Sequence, residues 1–265
     1  MFTKLKNKLF ISSFLKSSMD KKSILICGAG SIGIYIGALL HSKGHRVTLF
    51  GRRKLKDIGV GHVVINDKIF EIPEKVFKIP RNKKYDFIFI TSKLYDFQDV
   101  VKLIKKSKTK SKVIAAVQNG LVDISKESKL LGKRIIPVTV FSGFNIKENI
   151  IHVSPTPIGW KTEFSEEGKK IAKLLFNAGI PCTADKRFDS LRAEKTIVNC
   201  SLNCLSAIEK KTFKELFEIK RTKKMIGKLF EECYNVLKQE HQLGEKEIIK
   251  KRMFNHWRNL NHYSS

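Results

Sequence analysis

The stretch KSILICGAGSIGIYIGALLHSKGHRVTLFGRR, residues 22–53, constrains the fold of this chain more than any other. A continuous apolar run over residues 23–27 predicts a buried strand, residues 34–42 continue as a helix, and residues 46–50 predict a second strand. Three glycines in GxGxxG spacing stand between the first strand and the helix. A strand, a glycine turn, a helix and a strand within about 30 residues form the dinucleotide-binding unit of α/β proteins.

Each glycine of the turn has its own physical role. Gly28 allows the tight turn, Gly30 lets the backbone approach a pyrophosphate, and Gly33 lets the helix pack closely on the strand. The phosphates then bind the free N–H groups at the helix N-terminus. We therefore predict that the whole turn binds the cofactor: Gly28, Ala29, Gly30, Ser31, Ile32 and Gly33.

The residues after the second strand indicate which nicotinamide cofactor is bound. NAD-binding units place an acidic residue about 20 residues after the turn, where it holds the ribose 2′-hydroxyl. No Asp or Glu occurs between Asp20 and Asp57, and the segment at this place is FGRR. Arg52 and Arg53 offer guanidinium groups that suit a 2′-phosphate. The sequence therefore predicts NADPH.

Two further buried strands end in polar residues. YDFIFITSK ends at Lys93, and KVIAAVQNGL ends at Asn119 and Gly120. Because ligands of doubly wound sheets bind at the carboxyl ends of the strands, we expect Lys93 and Asn119 to face the cofactor.

The rest of the chain divides into a strand-rich part and a helical part. HVVINDKIFEI predicts a hairpin that turns at Asn66 and Asp67, and RIIPVTVFSGFNI and IIHVSPTPIGW predict two further, antiparallel strands. The pattern becomes helical from Glu166, with helices expected over residues 187–209 and 211–241. We place the domain boundary between residues 183 and 190.

The segment AEKTIVNCSLNCL spaces three hydrogen-bonding side chains four residues apart: Lys195, Asn199 and Asn203. In an α-helix they would form one slowly drifting stripe roughly 12 Å long. A solvated helix face is one interpretation. The apolar and small residues around the stripe instead favour a buried helix, in which a lysine without an acidic neighbour is costly unless it is functional.

Composition limits the class of protein. The formal net charge is +27, but only ten of the 52 basic residues are Arg and the lysines are spread from end to end, so we expect no specific nucleic-acid partner. No apolar run approaches the ~20 residues of a membrane span. Five cysteines without a CxxC pair, and histidines without ligand spacing, predict no disulfide framework, no metal site and a cytoplasmic location.

The first 18 residues, MFTKLKNKLFISSFLKSS, are basic and contain no acidic residue. A mitochondrial-type presequence, a short secretory signal and a tail upstream of a true start at Met19 are the three interpretations. We favour the last, because a strand begins almost at once after Met19, and we expect residues 1–18 to be disordered.

With these motifs assembled, the chain resembles the ketopantoate reductase (2-dehydropantoate 2-reductase) family from about residue 23 to its last residue. That family begins with GAGxIG and a further glycine and carries a strand-end lysine, an Asn-Gly pair and a K-x3-N-x3-N helix. The matching residues are Gly28, Gly30, Gly33, Gly37, Lys93, Asn119, Gly120, Lys195, Asn199 and Asn203.

The resemblance implies a reaction and roles for these residues. Hydride from NADPH reduces the 2-keto carbonyl of ketopantoate, and the product is pantoate. Lys195 is the implied general acid, which delivers a proton to the developing alkoxide. Asn199 and Asn203 are implied to bind the hydroxyl and carboxylate end of the substrate. Asn119 and Lys93 are implied to position the nicotinamide and the ribose side of the cofactor.

The C-terminal end departs from the family pattern. Ser265 matches the family's substrate-binding serine and is the last residue, whereas the family continues to an active-site glutamate and further helices. We expect an α/β protein with a Rossmann-type dinucleotide-binding domain over residues 19–186, followed by an incomplete all-α substrate domain over residues 187–265. An open helical core would expose apolar surface and favour a homodimer or aggregation.

Four alternatives stay open at this point. The chain could be a fragment of a normal enzyme, which we favour, or a genuine short protein that binds NADPH and turns over poorly. The same machinery could reduce another 2-keto acid, or the chain could be a non-catalytic NADPH-binding protein.

Overall fold

The computed structural model describes residues 20–51, 61–147, 150–154 and 156–257. The predictions for residues 1–18, for Arg52 and Arg53, and for Ser265 lie outside these ranges.

Twelve strands are described, and they form two sheets. The strands are β1 (Ser23–Cys27), β2 (Arg46–Phe50), β3 (His62–Ile65), β4 (Lys68–Glu71), β5 (Glu74–Val76), β6 (Lys84–Ile90), β7 (Lys110–Val117), β8 (Ile135–Thr139), β9 (Gly143–Lys147), β10 (Ile150–Ser154), β11 (Trp160–Glu163) and β12 (Cys182–Asp185).

The larger sheet has eight strands in the order β12-β11-β8-β7-β6-β1-β2-β5. The six strands from β8 to β5 pair in parallel. Numbered along the chain, these six have the order 3-2-1-4-5-6 of a dinucleotide-binding sheet, which confirms the predicted Rossmann-type fold. β11 joins β8 antiparallel, and β12 extends the edge. The sequence pattern missed β12, because its four residues lie among segments that look helical.

Four helices accompany the sheet: α1 (Ser31–Ser42), α2 (Leu94–Ser107), α3 (Ser125–Leu131) and α4 (Glu166–Asn177). Apolar residues of α1 and α4 pack on one sheet face, and those of α2 pack on the other. Helix α1 begins at Ser31, three residues earlier than the apolar pattern predicted. Its N-terminus therefore directly follows Gly30, within the glycine turn.

The smaller sheet has the order β4-β3-β10-β9. The hairpin between β3 and β4 turns at Asn66 and Asp67, as predicted, and both residues have the positive φ that such a turn requires. The two antiparallel strands predicted for residues 134–160 are in fact four. β9 and β10 pair antiparallel in the small sheet, whereas β8 and β11 belong to the large one. Residues of both sheets share one apolar layer.

From Phe188 to Trp257 the described chain is mainly helical. It forms α5 (Phe188–Val198), a π-helical turn (Asn199–Asn203), α6 (Cys204–Glu209), α7 (Phe213–Glu218), α8 (Lys220–Leu237) and α9 (Lys246–Trp257). The predicted single helices over residues 187–209 and 211–241 are each interrupted. The break before α7 has a local cause, because Thr212 and Glu215 form a capping box that starts a new helix.

The helical region has its own apolar core, which includes Leu202, Leu216, Ile226 and Phe230. Among the helices of the described ranges, none combines the length and the apolar character that a membrane crossing needs. The described residues also contain no group of three or more His, Cys, Asp or Glu side chains arranged to bind a metal ion.

Candidate active site

The glycine turn leaves space at one position and fills it at two others. A methyl group added at Gly33 would lie 1.8 Å from the carbonyl oxygen of Gly28 and 2.7 Å from Thr91 Oγ1. At Gly28, where φ is +134°, it would lie 2.6 Å from the Ser92 nitrogen. At Gly30 it would meet no atom within 4 Å. Gly28 and Gly33 therefore allow the turn to pack closely against the residues after β6, whereas Gly30 faces open space.

The N-terminus of α1 suits an anion. Gly30 is its N-cap and offers no capping side chain, and no acidic residue stands in the first turn. The first N–H groups of a helix have no partner within the helix and carry a partial positive charge. These N–H groups and the space at Gly30 fit the pyrophosphate of a dinucleotide.

The ends of β6 and β7 are tied together beside the glycine turn. Thr91 Oγ1 donates a hydrogen bond of 2.8 Å to the carbonyl oxygen of Gly28, and Gln118 Nε2 donates one of 2.9 Å to the carbonyl oxygen of Ser92. Lys93 and Asn119 come shortly after these two strands, and both are exposed at the carboxyl edge of the sheet. Both predicted residues therefore lie at the edge where ligands of such sheets bind.

Helix α5 brings Lys195 close to the same edge. The ammonium group lies 5.7 Å from the ring centroid of Phe141, a buried residue that follows β8. The side chain of Lys195 is partly exposed, but its ammonium group is largely buried. This burial lowers the pKa of Lys195 to about 8, because desolvation penalises the charged form.

The π-helical turn changes the predicted stripe of polar residues. In an α-helix, four residues rotate by slightly more than one full turn. In a π-helix, whose hydrogen bonds run from residue i to residue i+5, one turn contains more than four residues, so four residues rotate by slightly less than one full turn. Between Lys195 and Asn199 the side-chain direction rotates one way around the helix axis, and between Asn199 and Asn203 it rotates partly back. Asn203 Nδ2 donates a 3.2 Å hydrogen bond to Asn199 Oδ1, and both side chains are partly exposed.

Arg192, one turn before Lys195, connects the helical region to the sheet. Its Nη2 donates a 3.0 Å hydrogen bond to the carbonyl oxygen of Gly120, next to Asn119. Its Nε is buried and has no hydrogen-bond partner among the described residues. Burial lowers the pKa of this guanidinium as well. A desolvated cation with an unused donor near Lys195 adds to the positive potential of the site.

Glu194 anchors α5 on its other side. This buried residue accepts a hydrogen bond from Arg252 of α9 and lies 3.5 Å from Arg187. A cavity of about 660 Å³ lies on this side, lined by acidic and basic residues that include Glu194, Glu240 and Arg252. Its lining contains none of the three residues of the Lys195 motif. We therefore do not assign the substrate to this cavity.

Sequence reasoning missed Arg192, Gln118, Phe141 and Glu194. A motif search passes over single residues whose role depends on a partner far away in sequence. Arg192 carried one signal, since it stands one helical turn before Lys195 and therefore on a similar face.

Two family models match the chain. The one described as ketopantoate reductase PanE/ApbA matches residues 24–160, and the one described as ketopantoate reductase PanE/ApbA C terminal matches residues 187–265. Together they include the glycine turn, Lys93, Asn119 and the Lys195 motif.

Curated relatives carry the name 2-dehydropantoate 2-reductase. The protein from Aquifex aeolicus is 28% identical over 228 residues, which cover 81% of this chain and 72% of the relative. The protein from Pyrococcus horikoshii is 31% identical over 204 residues, covering 70% of this chain and 63% of the relative. The protein from Archaeoglobus fulgidus is 28% identical over 196 residues, which cover 72% of this chain and 65% of the relative. The match thus spans about two thirds of the length of these relatives.

Solved structures share the fold. The 2-dehydropantoate 2-reductase from Geobacter metallireducens superposes with a TM-score of 0.75 at 20% identity, covering 91% of this chain and 84% of that one. The structure of D-mandelate dehydrogenase with NADH and anilino(oxo)acetate superposes with a TM-score of 0.76 at 18% identity, covering 91% of this chain and 83% of that one. A dimeric ketopantoate reductase from Staphylococcus aureus superposes with a TM-score of 0.72 at 15% identity, covering 92% of this chain and 82% of that one.

Proposed function

The chain belongs to the PanE/ApbA ketopantoate reductase family, and on this premise we propose that it reduces 2-dehydropantoate to pantoate with NADPH. This reaction would place it in the biosynthesis of pantothenate and coenzyme A. One observation carries the proposal most strongly: a desolvated lysine ammonium lies beside the carboxyl edge of a dinucleotide-binding sheet. Such a group can give a proton to an oxygen that gains negative charge.

The glycine turn and the N-terminus of α1 would hold the dinucleotide, and Lys93 and Asn119 would contact its nicotinamide and ribose side. When bound, the reduced nicotinamide supplies a hydride to the carbonyl carbon of the substrate. The open space at Gly30 and the uncapped helix start support this assignment. The arginines of the FGRR segment and the absence of an acid there favour NADPH over NADH.

Lys195 acts on the substrate carbonyl oxygen. As this oxygen becomes an alkoxide, its negative charge is stabilised by the ammonium group and it takes a proton from Nζ. A pKa near 8 suits this task, because the group is still mostly charged at neutral pH and yet gives up its proton more readily than an ordinary lysine. The net result is a 2-hydroxy acid and a neutral lysine that solvent reprotonates.

The substrate is held by polar groups of the helical region and of the sheet edge. Asn199 and Asn203 each carry an amide that both donates and accepts, which matches a hydroxyl and a carboxylate. Their mutual hydrogen bond fixes the two side chains relative to each other. We assign Asn119 and Ser265 to the same substrate. The hydrogen bond of Arg192 to Gly120 keeps the Asn119 segment against the helix of Lys195.

The experiment that tests this function is a cofactor-oxidation assay on the 265-residue chain. NADPH absorbance is followed with and without 2-dehydropantoate, next to a separate NADPH-binding titration and a panel of other 2-keto acids. Oxidation that depends on 2-dehydropantoate supports the proposal. Faster turnover of another keto acid contradicts the substrate, and NADPH binding without turnover of any keto acid contradicts the catalytic role.

A further inference from the structure

Phe141 lies two residues after β8, at the carboxyl edge of the large sheet, and its side chain is buried. The backbone on either side of it is held by hydrogen bonds. Ser142 Oγ accepts a 3.1 Å hydrogen bond from Nε1 of the buried Trp160. Before Phe141, the carbonyl oxygen of Val138 accepts a 3.2 Å hydrogen bond from the backbone nitrogen of Gln118. The ring of Phe141 therefore stands on a fixed part of the sheet.

The ammonium group of Lys195 meets this ring from the helical region. Its Nζ lies 5.7 Å from the ring centroid, within the ~6 Å at which an aromatic ring attracts a cation. Within the described ranges, no acidic side chain forms an ion pair with Lys195. The cation of α5 is thus held against an apolar ring rather than against a carboxylate.

Burial is the one cause of the lowered pKa of Lys195. The π-helical turn, α8 and β11 pack against α5 and carry further titratable groups. The basic residues of α8 are all exposed, Lys161 of β11 pairs with Asp185, and Arg192 of α5 binds Gly120. The acids on α5 and on these elements are Asp189, Glu194, Glu163, Glu231 and Glu232, and the turn adds the thiol of Cys200. None of these groups sets the pKa of Lys195, so its apolar surroundings do.

An aromatic ring gives this lysine two properties that a carboxylate would not. The ring attracts the charged form without supplying a negative charge that would repel an anionic keto acid. It also excludes water, which would otherwise stabilise the ammonium and make it a weaker proton donor. We propose that Phe141 is a positioning residue for Lys195, whose ring holds the ammonium at the carboxyl edge of the sheet and keeps water from it. This inference rests on the proposed function and deepens it, because the group that the ring positions is the proposed acid.

The test follows the ionisation of Lys195 without requiring turnover. The 265-residue chain is labelled with carbon-13 in its lysine side chains, and the NMR signal that is absent from Lys195→Arg is assigned to Lys195. The pH titration of this signal is then compared in Phe141→Ala, Phe141→Leu and the matched control Phe144→Ala. Phe144 has the same exposed fraction as Phe141, 8%, and its ring packs against Tyr35 and Trp160.

Phe141→Ala admits water to the ammonium, so the pKa of Lys195 should rise from about 8 by about one pH unit. Phe141→Leu still excludes water and removes only the attraction of the ring for the charged form, so the pKa should stay or fall by at most about half a pH unit. Phe144→Ala should leave it unchanged. The alkaline limb of the kcat profile should move with the titration, and kcat at neutral pH should fall about tenfold in Phe141→Ala.

The outcomes separate this inference from the proposed function. An unchanged titration of Lys195 in Phe141→Ala overturns the inference and leaves the reductase assignment intact. An equal rise in Phe144→Ala also overturns it, because a general loosening of the fold would then be the cause. If the titration moves as expected but the unaltered chain reduces no keto acid, the effect of the ring on the ammonium stands and the proposed function fails. Thermal unfolding checks the fold of each variant, and Phe141→Val, with a rise expected as well, replaces an alanine variant that does not fold.

Discussion

The guanidinium of Arg192 donates a 3.0 Å hydrogen bond from Nη2 to the carbonyl oxygen of Gly120 and thereby joins helix α5 to the end of β7. Gly120 has a φ of +96°, a backbone conformation that residues other than glycine adopt poorly, and this conformation sets the direction of its carbonyl group. Asn119 is adjacent to Gly120, and Lys195 lies about one helical turn after Arg192. This hydrogen bond therefore contributes to the relative position of these two proposed site residues.

We predict that Arg192→Met lowers turnover about tenfold and raises the KM for the keto acid, while the NADPH dissociation constant stays nearly constant. The variant loses a charged hydrogen bond worth about 1.5–3 kcal/mol and lets the Asn119 segment move away from Lys195. The measurements are steady-state kinetics and an NADPH titration. Arg81→Gln, which alters an exposed arginine at the far end of β6, is the control. If Arg192→Met changes only the unfolding temperature, the hydrogen bond has no role in positioning.

Lys195→Ala is expected to lower turnover by about 10²–10⁴-fold, the usual contribution of a general acid, with little change in NADPH affinity. The lysine lies beside Phe141, which follows β8, and two strands, β7 and β6, separate β8 from the strand β1 that leads into the glycine turn. Kinetics and a binding titration on the same preparation separate the two quantities. Equal losses of turnover and of NADPH affinity would remove Lys195 from the role of acid.

The pH dependence of turnover follows from the pKa of Lys195. Burial lowers it from 10.5 to about 8, so the ammonium persists below about pH 8 and is lost as the pH rises through that value. Only the ammonium form can donate the proton, so kcat should be level on the acidic side and fall about tenfold per pH unit on the alkaline side. A pH profile of kcat checks this. A level profile up to pH 10 would exclude a lysine with this pKa as the acid.

Two substitutions in the glycine turn should have opposite effects. Gly30→Ala adds a methyl group where no atom lies within 4 Å, so the free energy of unfolding should change by less than about 1 kcal/mol. Dinucleotide affinity should nevertheless fall about tenfold or more, because the methyl group occupies the approach of the pyrophosphate.

Gly33→Ala instead forces a methyl group to 1.8 Å from the carbonyl oxygen of Gly28 and should cost about 1–3 kcal/mol or more of stability. Denaturant unfolding and cofactor titration of both variants decide the matter. An unchanged affinity of Gly30→Ala would mean that no phosphate lies at this turn.

Arg52→Ala combined with Arg53→Ala is expected to weaken NADPH much more than NADH, because a guanidinium pairs with a 2′-phosphate and has no such partner in NADH. Parallel titrations of the two cofactors measure the preference. An unaltered ratio of the two affinities would mean that the 2′-phosphate is held elsewhere.

Local sequence was sufficient to predict the dinucleotide-binding half. The glycine turn, the strands around it and the hairpin at Asn66 and Asp67 were all predicted, because each depends on neighbouring residues and on backbone geometry that few residue types allow. The motif lysine Lys195 was also identified from its spacing and its apolar neighbours. The strands β9 to β12 were resolved poorly, since short apolar runs do not show which sheet they join.

By itself, then, the sequence determined the fold class, the glycine turn and the residue types of the Lys195 motif. The tertiary structure decided how these residues meet. It placed Phe141 beside the ammonium group of Lys195, Arg192 against Gly120 and Glu194 against Arg252. It also inserted the π-helical turn that realigns Asn203. Such features arise from contacts between residues far apart in the chain, where desolvation and hydrogen-bond geometry are set by the packing of whole elements rather than by local pattern.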